Sequence, residues 1–415
     1  MRFERSLKDV IGHSSEPGYF ILFIIYISYF FVYTINWVEP LSGLAPSVLI
    51  FWRFFVVGCA AIYLFITISD GFKLWKKTAT MLGVGVLIGG CGFLFGSFMS
   101  EDAFNWGMDI YLCLMAYGKN YKRILRCVLI AALVTLIVAG AGIPLGFTNE
   151  REKPENVSPG MSFGITYPNT WGYLAFLAML VFWYLYLQKQ PIVTAIVFWA
   201  MTAFMYFVVS CRTIALLSAL FPLAAIFVWW INKRTVEITE DRKMDWRGIM
   251  LTAVPVLCFL ITVILALNMK WVHKTFYHTA LESMSMRFVQ TGICYQRYGF
   301  PLIGHDIMTN GSIVSIINGE QEYLYVMDSS YGSYSIMRGM IWMALCLAWL
   351  TNSMWKAWKN RDNALISCGI FLCIFAIMER PGLDLWYNFL LAYPLAAIGA
   401  PEKLNWKFWE KKKIP

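Results

Sequence analysis

The sequence predicts an all-α, polytopic membrane protein with about twelve transmembrane helices and one large extracytoplasmic loop between spans nine and ten. Hydrophobic residues make up 59% of the 415 residues and charged residues only 14%, whereas a soluble domain carries about a quarter charged residues. Apolar stretches long enough to cross a bilayer recur along the chain. The 18 tryptophans and 22 tyrosines suit aromatic belts at two membrane interfaces.

Apolar stretches along the chain are interpreted as its membrane spans. They cover residues 19–36, 44–68, 79–99, 103–118, 125–146, 170–187, 192–209, 213–231, 248–268, 331–350, 364–378 and 386–400. A charged start precedes the first stretch and no small-residue cleavage site follows it, so we expect an anchor and not a cleaved signal. Residues 1–415 are therefore expected to form a single integral membrane domain.

The distribution of basic residues predicts the orientation of these spans. With the N-terminus in the cytoplasm, 24 of the 34 Lys and Arg residues fall on the cytoplasmic connections and the C-terminal tail, which is the bias that membrane proteins show. Both termini are therefore expected to be cytoplasmic, and segment 269–330 extracytoplasmic. The net charge of +9 is explained by this topology and by attraction to the inner leaflet, so nucleic acid is not expected as a partner.

Segment 269–330 is the long hydrophilic stretch of the chain and holds three of its four histidines. Apolar residues recur there at every fourth position: Val272, Phe276, Ala280, Met284 and Phe288. This spacing predicts an amphipathic helix that lies on the outer membrane surface, and Gly292 is expected to end it. If the protein catalyses a reaction, the reacting groups are expected in this loop.

Arginines near the predicted outer surface indicate an anion-binding site. Arg212 falls in the first turn of the eighth span, where a cation opposes the helix dipole but can bind an anion together with the free backbone N–H groups. The alternative for Arg212 is an interfacial side chain that reaches toward water. Arg287 lies near the end of the amphipathic helix, and Arg297 follows it. Arg338, inside the tenth span, and Arg380, at the outer end of the eleventh, are further candidates for binding phosphate.

Two residues of the loop are candidates for a general base. Asp328 directly precedes the tenth span, where it is expected to cap that helix, to accept a proton beside cations, or to do both. His305 lies in a turn-rich stretch and is either a proton acceptor or a hydrogen-bonding loop residue. The cysteines are expected to pack as small apolar residues, with a Cys211–Cys294 disulfide as an alternative. No metal or cofactor is expected, because the sequence shows no metal-ligand spacing and no nucleotide-binding loop.

Several of these positions match a family pattern. The matching segments are 162–169 (SFGITYPN), 210–213 (SCRT), 285–287 (SMR), 301–305 (PLIGH), 328–331 (DSSY) and Glu379. In their order and predicted topology they resemble the bacterial O-antigen and capsular polysaccharide polymerases, within the superfamily that includes the O-antigen ligases. The resemblance covers residues 155–390, and Asp306 and Ser329 depart from it, where glycine and asparagine are usual.

The resemblance implies a substrate and a reaction. The substrate is an oligosaccharide repeat unit on undecaprenyl diphosphate, in the bacterial cytoplasmic membrane, and a chain-length regulator is an implied partner. A sugar hydroxyl attacks the anomeric carbon of another unit, and the lipid diphosphate leaves. Arg212 and Arg287 are expected to hold the diphosphate. Asp328 is the preferred base, because the ligases tend to carry a histidine at its place in the motif.

Three other functions are compatible with the sequence. The first is ligase-like transfer of the glycan to another acceptor, such as a lipid core or a protein. The second is a flippase or transporter, which predicts charged residues along a central path and two related halves of the chain. The third is a structural membrane partner without chemistry. Polar groups that cluster at one face favour an enzyme over a transporter.

Overall fold

A computed structural model gives the structure of the protein over most of its length. It describes residues 18–28, 34–38, 41–69, 101–150, 161–234, 245–276, 282–304, 313–317, 320–324, 327–385 and 387–397. Over these residues the chain is predominantly helical, as the sequence predicts, and it also forms a short β-hairpin that the sequence analysis does not anticipate. The predicted span 79–99 lies outside the described residues.

The described elements are fourteen helices and two strands. In chain order the helices are α1 (Gly18–Ser28), α2 (Leu41–Ser69), α3 (Glu101–Met115), α4 (Tyr121–Leu145), α5 (Pro168–Leu187), α6 (Pro191–Val209), α7 (Arg212–Arg234), α8 (Trp246–Thr252), α9 (Val254–Leu267), α10 (Met269–Phe276), α11 (Glu282–Tyr298), α12 (Ser330–Met337), α13 (Met340–Lys359) and α14 (Asn363–Met378). Strands β1 (Ile313–Ile317) and β2 (Glu320–Leu324) pair antiparallel. The 3-10 turns Arg380–Leu383 and Phe389–Ala392 follow α14.

Local sequence sets where several of these helices begin and end. The side chain of Asn120 accepts hydrogen bonds from the first backbone N–H groups of α4, and Gly146 ends that helix in a left-handed conformation. Pro168 and Pro191 open α5 and α6, where their missing N–H is not needed. Asp362 caps α14 by accepting from the N–H of Leu365. These residues fix the lengths of the helices.

The helices α4, α5, α6 and α7 are long and apolar enough to cross a membrane. The pair α8 and α9 forms a fifth candidate span, bent by 55° at its break. Within the apolar stretch of α5, 72% of the residues are buried, against 28% in that of α6. The protein therefore packs α5 at its centre and exposes apolar side chains of α6, as a helix that faces lipid does.

The predicted span 331–350 is wrong in its boundaries. The chain forms two helices there, because Gly339 adopts a φ of 90° between α12 and α13. The carbonyl oxygens of Pro301 and Leu302 accept hydrogen bonds from the N–H groups of Met340 and Ile341, at 2.8 and 3.3 Å. These distant loop residues cap the start of α13, so the long helix begins later than the apolar pattern predicts and runs to Lys359.

The predicted span 386–400 is also wrong, because residues 387–397 form 3-10 turns and bends instead of an α-helix. Side chains of α13 donate hydrogen bonds to the backbone carbonyl groups there. Ser353 and Trp349 donate to the carbonyl oxygens of Leu390 and Leu391, at 2.9 and 2.7 Å. The ammonium group of Lys356 donates to three carbonyl oxygens, at 2.7 to 3.1 Å, which belong to Tyr393, Pro394 and Ala396. Irregular backbone is tolerated in an apolar body only where it is satisfied in this way.

One group of connections meets at the end of the bundle where α5 begins. The N–H of Asn36 donates to the carbonyl of Gly164, and the N–H of Asn149 donates to the carbonyl of Asn36, both at 2.9 Å. The N–H of Met161 donates to the carbonyl of Val208 at 3.0 Å. These residues come from connections that the charge pattern predicts on the same, extracytoplasmic side. We call this end of the bundle the α5 N-end.

A second group of connections meets at the other end of α5. The N–H of Ala397 donates to the carbonyl of Lys119 at 2.8 Å. The side chain of Asn363 donates to that of Asn232 at 2.9 Å. The hydroxyl of Tyr184, in the last turn of α5, donates to Asp362 at 2.6 Å. Lys119, Asn232, Asp362 and Asn363 come from connections that the charge pattern predicts on the cytoplasmic side.

The structure places α11 against α9, with Gly292 inside the helix and not at its end. A Cβ atom at Gly292 would collide with the carbonyl oxygen of Ala266 and meet Met269 at 2.9 Å. Gly292 is therefore explained by the close approach of two helices and not by a break. Cys211 and Cys294 form no disulfide.

The close approach at Gly292 predicts that Gly292→Ala destabilises the protein. Overpacking at such a contact should lower the free energy of unfolding by about 1–3 kcal/mol. Gly140→Ala is the matched control, because it lies inside α4 and a Cβ there meets no atom within 4 Å. Thermal unfolding of the detergent-solubilised variants checks this, and equal melting temperatures for both variants would contradict the packing described.

Candidate functional site

A buried ion pair between Arg287 of α11 and Glu379 is the centre of a polar cluster at the α5 N-end. The Nη2 atom of Arg287 lies 2.9 Å from Oε1 of Glu379, and the two side chains are only 10% and 2% exposed. A charge in such an environment is stable only when it is paired and hydrogen-bonded. Each of the two buried charges is therefore stable only while the other is paired with it.

Glu379 reaches the interior because the chain leaves α14 in an extended conformation at this residue, with φ −134° and ψ 135°. Its other carboxylate oxygen accepts a hydrogen bond from the hydroxyl of Tyr173, in α5. The side chain of Thr213, in α7, also hydrogen-bonds the carboxylate. The hydroxyl of Ser330, in α12, lies 2.5 Å from the backbone carbonyl oxygen of Glu379. Burial raises the pKa of Glu379 to about 7, although Arg287 opposes the shift.

Asp328 lies on the exposed side of the same cluster. Its Oδ2 is 3.7 Å from Nε of Arg287, and 42% of its side chain is exposed. The predicted role of Asp328 as helix cap is wrong, because Ser329 caps α12 by accepting from the N–H of Gly332 at 3.4 Å. Burial raises the pKa of Asp328 above its ordinary value, although Arg287 and Arg380 oppose the shift. The carboxylate is thus placed beside two cations and next to solvent.

The structure brings some of the predicted arginines to this cluster and not others. Arg380 opens the 3-10 turn after Glu379 and acts electrostatically on Asp328. Arg212 is exposed at the start of α7, directly before the residue that hydrogen-bonds Glu379. Arg297 is exposed ten residues beyond Arg287 in α11, which is about 15 Å along a helix. His305 lies outside the described residues.

Arg338 belongs to a second polar cluster. Its guanidinium carbon lies 4.2 Å from the ring centre of Tyr334, whose hydroxyl donates to Asp384. Asp109, a buried residue of α3, accepts from the hydroxyl of Tyr26 at 2.8 Å and from the N–H of Leu385 at 2.9 Å. Arg338 acts electrostatically on Asp109 as well. This cluster fixes the chain that follows the turn Arg380–Leu383.

The two clusters share the same two elements. Ser330 and Tyr334 lie one turn apart in α12, and Glu379 and Asp384 stand at the two ends of the turn Arg380–Leu383. Each cluster contains one residue of each pair. A displacement of α12 or of the turn therefore disturbs both clusters together.

Several residues of the two clusters are absent from the predicted site. Glu379 stands out in the sequence only through the family resemblance. Asp109 and Asp384 carry a weak signal, since each is an acid next to or within an apolar run. Tyr173 carries none, because it lies among other aromatic residues of α5 and 206 positions from its partner.

Comparison of the chain with protein-family models, curated proteins and solved structures found no match. Among the described residues, no group of three His, Cys, Asp or Glu side chains is arranged to hold a metal ion. The geometry of the cluster and the sequence motifs indicate what the cluster can do. It presents a half-exposed carboxylate beside cations at one end of an apolar bundle.

The buried pair predicts a pH-dependent loss of stability in Arg287→Met. Without the cation, the free energy of unfolding should fall by about 3–5 kcal/mol at pH 8. In the parent, burial raises the pKa of Glu379 to about 7, although Arg287 lowers it. Without Arg287 this pKa rises further, so ionising the buried carboxyl costs more stability as the pH rises. Protonation avoids that cost, so the loss should be smaller at pH 6. Denaturant unfolding in detergent at the two pH values measures it.

The control for this experiment is the double variant Arg287→Met, Glu379→Met, in which no charge is left unpaired. It should recover much of the stability that the single variant loses. A double variant as unstable as the single one, or a loss that is equal at pH 6 and pH 8, would contradict the importance of charge pairing.

Proposed function

We propose that the protein is a polysaccharide polymerase that joins undecaprenyl-diphosphate-linked oligosaccharide repeat units on the outer face of the bacterial cytoplasmic membrane. The observation that carries the proposal is the placement of Asp328 beside Arg287 and Arg380, at the α5 N-end. About twelve spans, cytoplasmic termini and an extracytoplasmic segment 269–330 belong to the same proposal.

The contacts between connections support this orientation. Connections with few basic residues meet one another at the α5 N-end, and connections rich in basic residues meet at the other end. The candidate base and its arginines come from the first set. A substrate with a lipid anchor and a polar glycan requires its reacting groups at such a boundary between apolar body and solvent.

The proposed reaction is a glycosyl transfer without a metal or a cofactor. A hydroxyl oxygen of one repeat unit forms a bond to the anomeric carbon of another, and the bond from that carbon to the diphosphate oxygen breaks. The electron pair of the broken bond stays on the lipid diphosphate, which leaves. The carboxylate of Asp328 accepts the hydroxyl proton, and its exposed position beside two cations suits this role.

The leaving diphosphate needs positive charge, because negative charge develops on it in the transition state. Arg212 is exposed, and Arg380 acts electrostatically on Asp328, so these two are the preferred contacts. Arg287 contributes through its field, since its side chain is buried and paired with Glu379. Roles for Arg297 and Arg338 in diphosphate binding, and for His305 in proton transfer, stay predictions.

Loss of the Arg212 side chain should abolish most polymer formation. Arg212→Ala should lower the rate by about 10²–10³-fold, as removal of one transition-state donor typically does. Lys189→Ala is the control, because this exposed cation lies between α5 and α6 at the opposite end of the bundle. Purified protein with a lipid-diphosphate-linked repeat unit and a chelator, scored for glycan ladders on a gel, measures the rate. Ladders of normal length and rate from Arg212→Ala would contradict the assignment.

Asp328→Asn tests the base. The amide keeps the size of the side chain and cannot accept the proton, so single repeat units should persist at every pH. Because Ser329 and not Asp328 caps α12, the melting temperature should stay close to that of the parent protein. Full activity would assign the proton to His305 or to no residue. Transfer of single units to another acceptor would indicate the ligase reaction instead.

A further inference from the structure

Arg287 stands between two carboxylates that it contacts unequally. Its Nη2 lies 2.9 Å from the buried Glu379, and its Nε lies 3.7 Å from the half-exposed Asp328. The first distance is that of a charge-assisted hydrogen bond, and the second is longer than a hydrogen bond. The guanidinium is therefore drawn toward Glu379.

We propose that Glu379 is a positioning residue, which holds Arg287 against itself and so keeps the guanidinium from closing onto Asp328. This inference rests on the proposed function for the role of Asp328 as base. A carboxylate that forms a full ion pair with arginine binds a proton less readily and turns toward its partner. The competing anion keeps the proton affinity of Asp328 higher and leaves its carboxylate half-exposed and available to a substrate hydroxyl.

The surroundings of Glu379 suit positioning and not contact with substrate. Its side chain is 2% exposed, so a glycan cannot reach it. Tyr173 and Thr213 hydrogen-bond the carboxylate from α5 and α7, and Ser330 holds its backbone from α12. These contacts fix the carboxylate on the side of Arg287 that faces away from solvent.

The charged and titratable groups around the two carboxylates define the coupling. Arg287, Arg380 and Glu379 act on Asp328. Arg287, Asp328 and Tyr173 act on Glu379, and Glu379 acts on Cys211. Neutralising Glu379 changes the pKa of Asp328 in two ways that have the same sign. It removes a negative neighbour, and it releases Arg287 to pair with the remaining carboxylate, so both effects lower the pKa of Asp328.

The same coupling predicts how activity depends on pH. Burial raises the pKa of Glu379 to about 7, so this carboxyl gains a proton as the pH falls from 8 to 6. Arg287 then moves onto Asp328 and activity should fall. A Glu379 that only stabilised the fold would leave the shape of the pH profile unchanged.

The experiment compares Glu379→Gln with the parent protein in two measurements. In the first, the rate of polymer formation is followed from pH 8 to pH 6. The parent should lose activity over this range. Glu379→Gln should be slower than the parent at pH 8, by roughly tenfold to a hundredfold, nearly independent of pH, and closer to the parent at pH 6. Glu379→Asp keeps a carboxylate and should keep the pH-dependent fall.

Asp362→Asn is the matched control. Asp362 likewise accepts a hydrogen bond from a tyrosine of α5, Tyr184. Tyr184 lies eleven residues beyond Tyr173 in that helix, which is a distance of about 16 Å. Asparagine still caps α14 there, so this variant should keep the pH profile of the parent. If Glu379→Gln keeps the melting temperature of the parent and also keeps its pH profile, the proposal is overturned.

The second measurement does not depend on activity. A water-soluble carbodiimide modifies protonated carboxyl groups, and mass spectrometry quantifies the label on Asp328. At pH 8, where Glu379 of the parent is ionised, Asp328 should be labelled more slowly in Glu379→Gln. At pH 6 the difference should shrink. Equal labelling at pH 8 overturns the inference, whereas a parent protein that makes no polymer counts against the proposed function alone.

If Glu379→Gln does not fold, Tyr173→Phe replaces it. The hydroxyl of Tyr173 stabilises the ionised form of Glu379, so its loss raises the pKa of Glu379. The fall in activity, and the change in Asp328 labelling, should then begin at higher pH than in the parent. If activity and Asp328 labelling change at the same pH in Tyr173→Phe as in the parent, the proposal is overturned.

Discussion

The burial of one ion pair in an apolar bundle is the constraint on which the arrangement of the site depends. Arg287 and Glu379 are both nearly inaccessible to water, and neither charge is tolerable there alone. Satisfying them recruits a hydroxyl from α5 and one from α7, and draws α11 and the end of α14 together. The helices that meet at the α5 N-end are thus held by polar contacts as well as by packing.

Glycines and backbone hydrogen bonds let these elements approach closely. Gly292 admits the carbonyl of Ala266 between α11 and α9, and Gly339 allows the chain to turn between α12 and α13. The short α12 that results carries Ser330 toward Glu379 and Tyr334 toward Asp384. The break in the predicted tenth span therefore leaves α12 as a separate short helix that carries both contacts.

The helices that are set by local pattern could be predicted from the sequence, and those set by distant contacts could not. Spans 125–146, 170–187, 192–209 and 213–231 match α4 to α7, because each is a continuous apolar run with its own start and stop signals. The failure at 331–350 arises because loop residues 301–302 cap α13. Residues 387–397 are apolar enough for a span, but side chains of α13 satisfy their irregular backbone.

The candidate site divides in the same way. Arg287 and Asp328 were predicted because they lie in motifs of a hydrophilic segment, where charge is noticeable. Tyr173 was not, because an aromatic residue in an apolar helix has no distinguishing pattern, and its partner is 206 residues away. Arg338 was assigned to phosphate, while the structure surrounds it with Tyr334 and Asp109. The surroundings of Tyr173 and Arg338 depend on contacts between residues that are distant in the sequence.

The most direct measurement is an electron cryo-microscopy structure of the protein with a lipid-diphosphate-linked oligosaccharide bound. The account predicts the diphosphate against Arg212 and Arg380, a sugar ring beside the Asp328 carboxylate, and Arg287 still paired with Glu379. A diphosphate bound at the opposite end of the bundle, near Tyr184 and Asp362, would contradict it.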